Sequence, residues 1–493
     1  MFPWGYFSLH NQNFIHMIAY PIFHLRKTFV FLLLALSTMV FAEKDQRPNI
    51  VIILTDDQGY GDLGCFGSET VKTPRIDKMA KEGAILSSFY VPAPVCTPSR
   101  AGLMTGCYAQ RVNMNGILIS GSRRGLHPDE VTIAEVAKSA GYHTAMFGKW
   151  HLGDQPQFLP TRQGFDEFFG LPYSHDIHPF NPWLKKYPNK QFAPLPLLEG
   201  EKVIETDPDA DYLTKRITEK AVDFIKRKKD SPFLLYVAHP IPHRPLHMSP
   251  AFMKKVPKEL REKIKKYEDS PEKIDYETRD EIYPYAMSEI DWSVGKILKE
   301  LKKQGVAENT LVLYTSDNGP DGPVNSSAGP LRGRKGSTFE GGMREPTVVR
   351  WPAKIKAGQD IKELMSTIDL LPTIAHLLDY QMPDNRIIDG KNILPTLTEN
   401  APTPHDYFFY SKRGIIEAVR DTEWKLHVNI KEGKPTALYN LKKDIGETKD
   451  VMSQHPNITA KLLEVCKNFT ADLKANSRES GLLTVEEAKA LVK

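Results

Sequence analysis

Four oxygen-bearing side chains recur at matching places in the 493-residue chain. Asp56 and Asp57 close the apolar run Ile50–Thr55; Asp317 and Asn318 close the run Thr310–Thr315. Three carboxylates and an amide form a hard donor set that suits Ca²⁺ first, Mg²⁺ second, and zinc poorly. Neighbouring side chains diverge along a strand, so both members of a pair face one ion only where the strand ends and turns. Gly59 and Gly319 are expected to supply those turns. Either motif alone reads as an ordinary strand-ending turn; their repetition points to a divalent cation.

A second group could carry a nucleophile and its helpers. Val95-Cys-Thr-Pro-Ser-Arg100 precedes the helical run Ala101–Gly106. Thr97 fits a helix cap and Pro98 a first helical position. Cys96 then stands at a helix N-terminus, where free N–H groups favour anions. Helical side chains lean toward the N-terminus, so the Arg100 guanidinium reaches the same anion. A cysteine so placed is expected to have a lowered pKa and to be reactive; the other reading is a buried structural thiol. Lys149 and His151, two apart, face one side of an extended segment. His243 follows the run Pro232–Ala238 with His239 and His247 nearby, and the His-x-Pro pattern favours His243. Lys335 lies among Gly333, Gly336, Gly341 and Gly342, which could let the backbone approach a substrate. A solvated loop lysine beside Arg332 and Arg334 is the other reading.

Positioning these residues requires an α/β scaffold. Arg47–Thr55, Tyr142–Phe147, Pro232–Ala238 and Thr310–Thr315 read as buried strands. Thr73–Gly83, Val131–Ala140, Tyr212–Lys228 and Glu281–Lys303 read as helices. The alternation predicts a large, mostly parallel sheet sandwiched by helices. Ligands bind such sheets beyond the carboxyl ends of the strands. Residues 154–200 and 240–280 read as long loops. Beyond Gly390, the runs Tyr407–Tyr410, Trp424–Val428 and Ala437–Leu441 precede a terminal helix. The expected division is a catalytic domain over 43–389 and a smaller α+β domain with an antiparallel sheet over 390–493.

Lys plus Arg number 65 and Asp plus Glu 61, giving a net charge of +4, which argues against a nucleic-acid partner. A hydrophobic content of 41% excludes wholesale disorder. Four cysteines exclude a disulfide-dense scaffold, and at least one of Cys65, Cys107 and Cys466 is expected to be unpaired. Residues 1–42 hold Arg26 and Lys27, no acid, and the apolar run Phe29–Ala42. They read as a signal peptide cut after Ala42, with an unusual leader in which Met17 is an alternative start. A membrane anchor or buried helix is the other reading, but the run is too short to span a bilayer comfortably. The mature chain is expected outside the cytoplasm, with no stable membrane span.

Cys96-x-Pro-Ser-Arg100 followed by Ala101-x-Leu-x-Thr-Gly106 resembles the signature of the sulfatase family. Other family landmarks follow in order: residues 49–57, Gly148-Lys-Trp-His-Leu-Gly153, Pro242-His-Arg-Pro245, Ser316-Asp-Asn-Gly319 and the stretch 333–342. Gly170-Leu-Pro-Tyr-Ser-His-Asp176 is similar to the arylsulfatase A and N-acetylgalactosamine-6-sulfatase branch. The resemblance implies an alkaline-phosphatase-like fold and hydrolysis of sulfate esters. It implies that a maturation enzyme converts Cys96 to formylglycine, whose hydrate is the nucleophile. Asp56, Asp57, Asp317 and Asn318, together with the formylglycine from Cys96, would hold one divalent cation, usually Ca²⁺.

By the same resemblance, Arg100 helps surround the anion and Lys149 holds formylglycine and sulfate. His243 meets the sulfate or leaving oxygen, and Lys335 binds sulfate and protonates that oxygen. Ser174, from the branch match, binds substrate. One hydroxyl of the hydrate attacks sulfur and the alcohol leaves; the second, deprotonated by His151, expels sulfate and restores the aldehyde. The expected substrate is a sulfated small molecule or glycan, with carbohydrate favoured. The expected location is secreted, periplasmic or extracellular, and lysosomal in a eukaryote. Two other readings stay open: a phosphonate or phosphate monoester hydrolase of the same superfamily, and a catalytically silent, metal-stabilised binding protein.

Overall fold

A computed structural model describes residues 47–179, 181, 184, 191–268, 276–322 and 326–490. The expected signal peptide lies outside them. Ten strands form the main sheet: β1 (Asn49–Thr55), β2 (Ala84–Leu86), β3 (His143–Lys149), β4 (Glu167–Leu171), β5 (Pro196–Glu199), β6 (Lys202–Thr206), β7 (Phe233–Ala238), β8 (Thr310–Ser316), β9 (Thr347–Arg350) and β10 (Gln359–Ile361). Their order is β10-β2-β9-β8-β1-β7-β3-β4-β5-β6. The five central strands, β8-β1-β7-β3-β4, are parallel. Antiparallel neighbours flank them, β9 on one side and β5 with β6 on the other.

A central parallel strand is covered on both faces and therefore reads as a continuous apolar run. β1 is such a run, and alternate residues serve opposite layers. Val51 and Ile53 pack with α1 (Pro74–Glu82), α4 (Leu213–Lys228) and α5 (Tyr283–Lys303) through Ile76, Phe224 and Ile290. Ile50, Ile52 and Leu54 pack with α2 (Cys96–Thr105), α3 (Ile133–Ser139) and α6 (Leu370–Leu377) through Met104, Val136 and Ile374. Burying each such side chain contributes about 1.5–3 kcal/mol. α3 starts at a capping box, in which the Thr132 hydroxyl accepts from Glu135 N and the Glu135 carboxylate accepts from Thr132 N.

Residues 154–200, expected as loop, contain β4 and all of β5. Gly170 interrupts the apolar pattern of β4 because a Cβ there would sit 1.9 Å from the Gly148 carbonyl oxygen of β3. Beyond the main sheet, β11 (Phe408–Lys412), β12 (Ile415–Arg420), β13 (Trp424–Asn429) and β14 (Lys434–Asn440) form an antiparallel meander. It packs against α7 (Pro456–Ala475) through Phe408, Leu426, Leu462 and Cys466. β12 was not among the expected strands; it is joined to β11 by a two-residue turn in which Arg413 and Gly414 both take positive φ. All four cysteines are free. Among the described residues no helix is long and apolar enough to cross a membrane.

Candidate active site

The register of the two central strands builds the first part of the site. Thr55 stands beside Ser316, so Asp56 and Asp317 leave the sheet side by side. The chain turns at Asp57 itself, which takes φ 67°, and not at Gly59 as the sequence suggested. Aspartate tolerates this left-handed region better than most residues. Gly319 does lie in a bend over residues 317–319, and both glycines serve close approach: a Cβ at Gly59 would lie 2.3 Å from Ser327 O, and one at Gly319 2.0 Å from Gly341 O.

Asp57 N donates to Asp317 Oδ1 at 3.2 Å, and Asn318 Nδ2 donates to Asp57 Oδ1 at 2.7 Å. Asp56 Oδ1 and Asn318 Oδ1 are buried acceptors with no protein donor. Two orphaned hard oxygens just past the paired ends of β1 and β8 fit a divalent cation. Donor atoms of Asp56, Asp57 and His243 lie within 4.8 Å of one another. Burial raises the Asp56 pKa, but Lys149, His243 and Arg100 outweigh it and hold the carboxyl far below the usual range. Burial dominates at Asp57 and raises it despite Lys335 and His243.

α2 begins at Cys96, with Val95 in the cap position and no side-chain cap bond. Thr97 is therefore not the cap and Pro98 is the third helical residue; the Thr97 hydroxyl accepts from Leu118 N at 3.2 Å. Burial pushes the Cys96 thiol up to about 11, with Lys149 opposing. The expected lowering at a helix N-terminus is corrected: desolvation of the thiolate outweighs the dipole. Arg100 ties α2 to two strand ends. Its Nε donates to Asp317 Oδ2 at 2.8 Å, its Nη1 donates to Lys149 O at 2.6 Å, and its Nη2 lies 3.5 Å from Asp56 Oδ2.

Lys149 ends β3, and its ammonium donates to Asp56 Oδ2. His151, just past it, takes φ 63°. His151 Nε2 faces Leu118 O at 2.8 Å, so that nitrogen carries the proton and the buried Nδ1 is left with a free lone pair. Burial, reinforced by Lys149, holds this imidazole well below its ordinary pKa. Lys335 Nζ donates to Asp57 Oδ2 at 2.7 Å, so it is not a solvated loop lysine. Burial disfavours its charge, but Asp57 and Asp321 outweigh burial and keep it protonated.

The three nearby histidines separate. His243 Nε2 lies 3.5 Å from Asp57 Oδ2, while its Nδ1 donates to Arg244 O at 2.6 Å. His239 pairs with Ser293 Oγ at 3.0 Å and His247 with Asp211 at 2.8 Å. Ser174 is buried in the segment after β4. Its neighbour His175 stands edge-on to His243, with ring centres 5.7 Å apart. Asp176 is held to about 2, burial being outweighed by His243 and His175. Sequence reasoning missed the Leu118 carbonyl that fixes the His151 tautomer, since any residue offers a carbonyl. It also left His175 and Asp176 without a role, although they stand inside a segment it singled out.

A family model described as Sulfatase matches residues 48–380, and one described as N-sulphoglucosamine sulphohydrolase, C-terminal, matches residues 334–475. The chain belongs to the sulfatase family. It is 35% identical to arylsulfatase A of Homo sapiens over 481 residues, covering 89% of each chain. It is 37% identical to N-acetylgalactosamine-6-sulfatase of Mus musculus, covering 80% of this chain and 75% of the relative. Among solved structures, Ps i-CgsB in complex with k-i-k-neocarrahexaose superposes with a TM-score of 0.73 at 32% identity, covering 90% of this chain and 97% of that one. The sulfatase is thus a sulfuric ester hydrolase with the alkaline-phosphatase-like fold expected of it. The family generally uses a formylglycine and a divalent metal. The charges of Lys149, Asp56, Lys335 and Asp317 all act on the Cys96 thiol, so Cys96 and the oxygen cradle share one buried site.

Proposed function

We propose that this sulfatase removes sulfate from a carbohydrate ester, using formylglycine made from Cys96 and one Ca²⁺. The observation that carries this reading is the pair of orphaned acceptors, Asp56 Oδ1 and Asn318 Oδ1, in a pocket that also gathers Arg100, Lys149, His243 and Lys335. Asp56, Asp57, Asp317 and Asn318 would hold the cation. Bound there, the cation and the formylglycine hydrate would supply, respectively, charge stabilisation for the sulfate oxygens and an oxygen nucleophile.

The chain's own groups divide the remaining work. Arg100 and Lys149 hold the anion, and Arg100 also fixes the Asp317 carboxylate. His151 keeps its proton on Nε2 and offers Nδ1 as the base for the second step. His243 orients the ester oxygen, and Lys335 donates a proton to it as the alcohol leaves. Ser174 lines the substrate side of the pocket. The catalytic machinery lies in a domain over 43–389, the domain over 390–493 packs behind it, and both follow export and cleavage after Ala42. A formylglycine-generating enzyme is the required maturation partner.

A carbohydrate is favoured because one relative is named for an amino-sugar sulfate and a structural neighbour is seen with an oligosaccharide. The test is a panel of defined sulfated sugars, together with mass analysis of the peptide bearing Cys96 in the active protein. An aldehyde in that peptide and release of sulfate from at least one sugar are expected. Rapid aryl sulfate turnover without desulfation of any sugar would remove the carbohydrate assignment. A bare thiol in active enzyme would remove the formylglycine.

A further inference from the structure

Lys335 reaches the site from a loop with little stiffness of its own. Residues 332–342 contain four glycines, two of them at positive φ: Gly333 at 88° and Gly336 at 76°. Glycine brings no conformational preference that would hold a side chain in place. The loop is instead held from outside: Lys335 N and Gly336 N donate to Pro320 O at 3.1 Å and Pro94 O at 2.8 Å, and one residue of the C-terminal region holds both of its ends. Glu447 is fully buried and grips both ends. Its carbonyl accepts from Arg332 Nη1 at 2.9 Å, and its Oε2 accepts from Glu340 N at 2.6 Å. Its Oε1 is fixed by Lys425 at 3.0 Å and His427 at 2.8 Å, both on β13. The bond from Gly341 N to Arg332 O, 2.7 Å, closes the loop between the two grips. Glu447 itself takes φ 51°, a conformation that persists in a non-glycine residue only where its surroundings enforce it.

We infer that Glu447 is a positioning residue for catalysis, holding the Lys335 loop so that the ammonium meets the ester oxygen. The inference rests on the sulfatase reading and on Lys335 as proton donor. It gives the C-terminal region, through Glu447 and its partners on β13, a part in the reaction. A buried glutamate could instead serve stability alone, and the two roles differ in what a loosened loop does to the rate. A misplaced acid slows the departure of the more basic phenoxide more than that of the weakly basic 4-nitrophenoxide.

The experiment uses the full-length, formylglycine-bearing enzyme with Ca²⁺ and two aryl sulfates, one of 4-nitrophenol and one of unsubstituted phenol. Lys335→Ala sets the signature, a larger loss of kcat on the phenyl ester. Glu447→Gln keeps the shape of the side chain, and Arg332→Ala loosens the other grip from an exposed position. Both are expected to lower kcat about tenfold on the phenyl ester and only about twofold on the nitrophenyl ester, since small misplacements of a catalytic group carry large rate penalties. Adding Glu447→Gln to Lys335→Ala should cost little more than Lys335→Ala alone. Equal losses on the two esters, multiplying losses in the double variant, or a lowered melting temperature with unchanged kcat would overturn the inference. Failure of the wild-type enzyme to release sulfate from either ester and from every sugar of the panel would instead remove the proposed reaction beneath it.

Discussion

His151 and Cys96 sit in the same desolvated pocket, and burial acts on them in opposite functional senses. A lowered imidazole pKa keeps the neutral, base-competent form as pH falls. The acid limb contributed by His151 to kcat is therefore expected well below pH 6.5. An inflection near 6.5 in the pH–rate profile would show that the bound substrate anion offsets the desolvation. His151→Ala should lower kcat by about 10²–10⁴, the usual weight of a general base. Burial raises the thiol of Cys96 to about 11, leaving on the order of one thiolate in ten thousand at pH 7. Protein produced without the maturation enzyme is accordingly expected to be inactive at pH 7 and to resist alkylation at Cys96. Mass analysis after brief iodoacetamide treatment of the folded protein checks this, and rapid labelling would contradict the burial. The acidic pairs and Arg100 were legible because strand ends and a helix start have sequence signals. The reversal of the Cys96 pKa was not, since desolvation is set by residues far apart in the chain.

At the scale of elements, the site is a consequence of strand register. β1 and β8 were readable as apolar runs, and their pairing Thr55↔Ser316 brings the two acidic ends together. β4 was not readable, because Gly170 must be small to let β3 pass and so breaks the apolar pattern. The turn credited to Gly59 illustrates the same limit, and Gly319 adds a close approach to its bend. Both glycines mark places where another backbone segment approaches, which one stretch of sequence does not display. Gly319→Ala tests this at the end of β8. The new Cβ would lie 2.0 Å from the Gly341 carbonyl, a backbone atom that moves only with its loop. Overpacking of this kind typically costs about 1–3 kcal/mol. The variant is expected to melt lower than wild type and to gain less from added Ca²⁺, because Asn318 and the Lys335 loop are displaced together. Thermal unfolding with Ca²⁺ and with chelator measures both effects. An unchanged melting temperature would mean that the loop yields freely.

At the scale of the whole molecule, a buried polar network joins the meander to the catalytic layers. Glu340, from the Lys335 loop, accepts from Tyr90 OH and Tyr410 OH at 2.6 Å each and from Lys425 Nζ at 3.0 Å. Lys425 also lies 3.0 Å from Glu447, so one lysine serves two carboxylates, and all three side chains are fully buried. A net charge of only +4 over the whole chain conceals this concentration of charge, as it conceals the cationic active site. Burial alone would raise Glu340, but Lys425, Arg420 and Arg344 hold it far below its ordinary 4.5. A depressed carboxyl contributes stability that is present above its unfolded pKa and lost as pH falls toward the folded one. Wild-type protein should therefore weaken progressively below about pH 4.5. Lys425→Met removes the shared cation and leaves Glu340 and Glu447 buried without it. Breaking such a pair from one side typically costs about 3–5 kcal/mol. In the variant Glu340 loses the largest of its opposing charges while Arg420 and Arg344 remain, so its carboxyl lies higher than in wild type and the deficit narrows as pH falls toward it. The deficit of Lys425→Met relative to wild type should be large at pH 7 and smaller at about pH 3, below the unfolded pKa. Urea unfolding midpoints at the two pH values give the comparison. Equal deficits would mean that the lysine acts through packing over Tyr410, whose ring centre lies 3.7 Å from Nζ, and not through its charge.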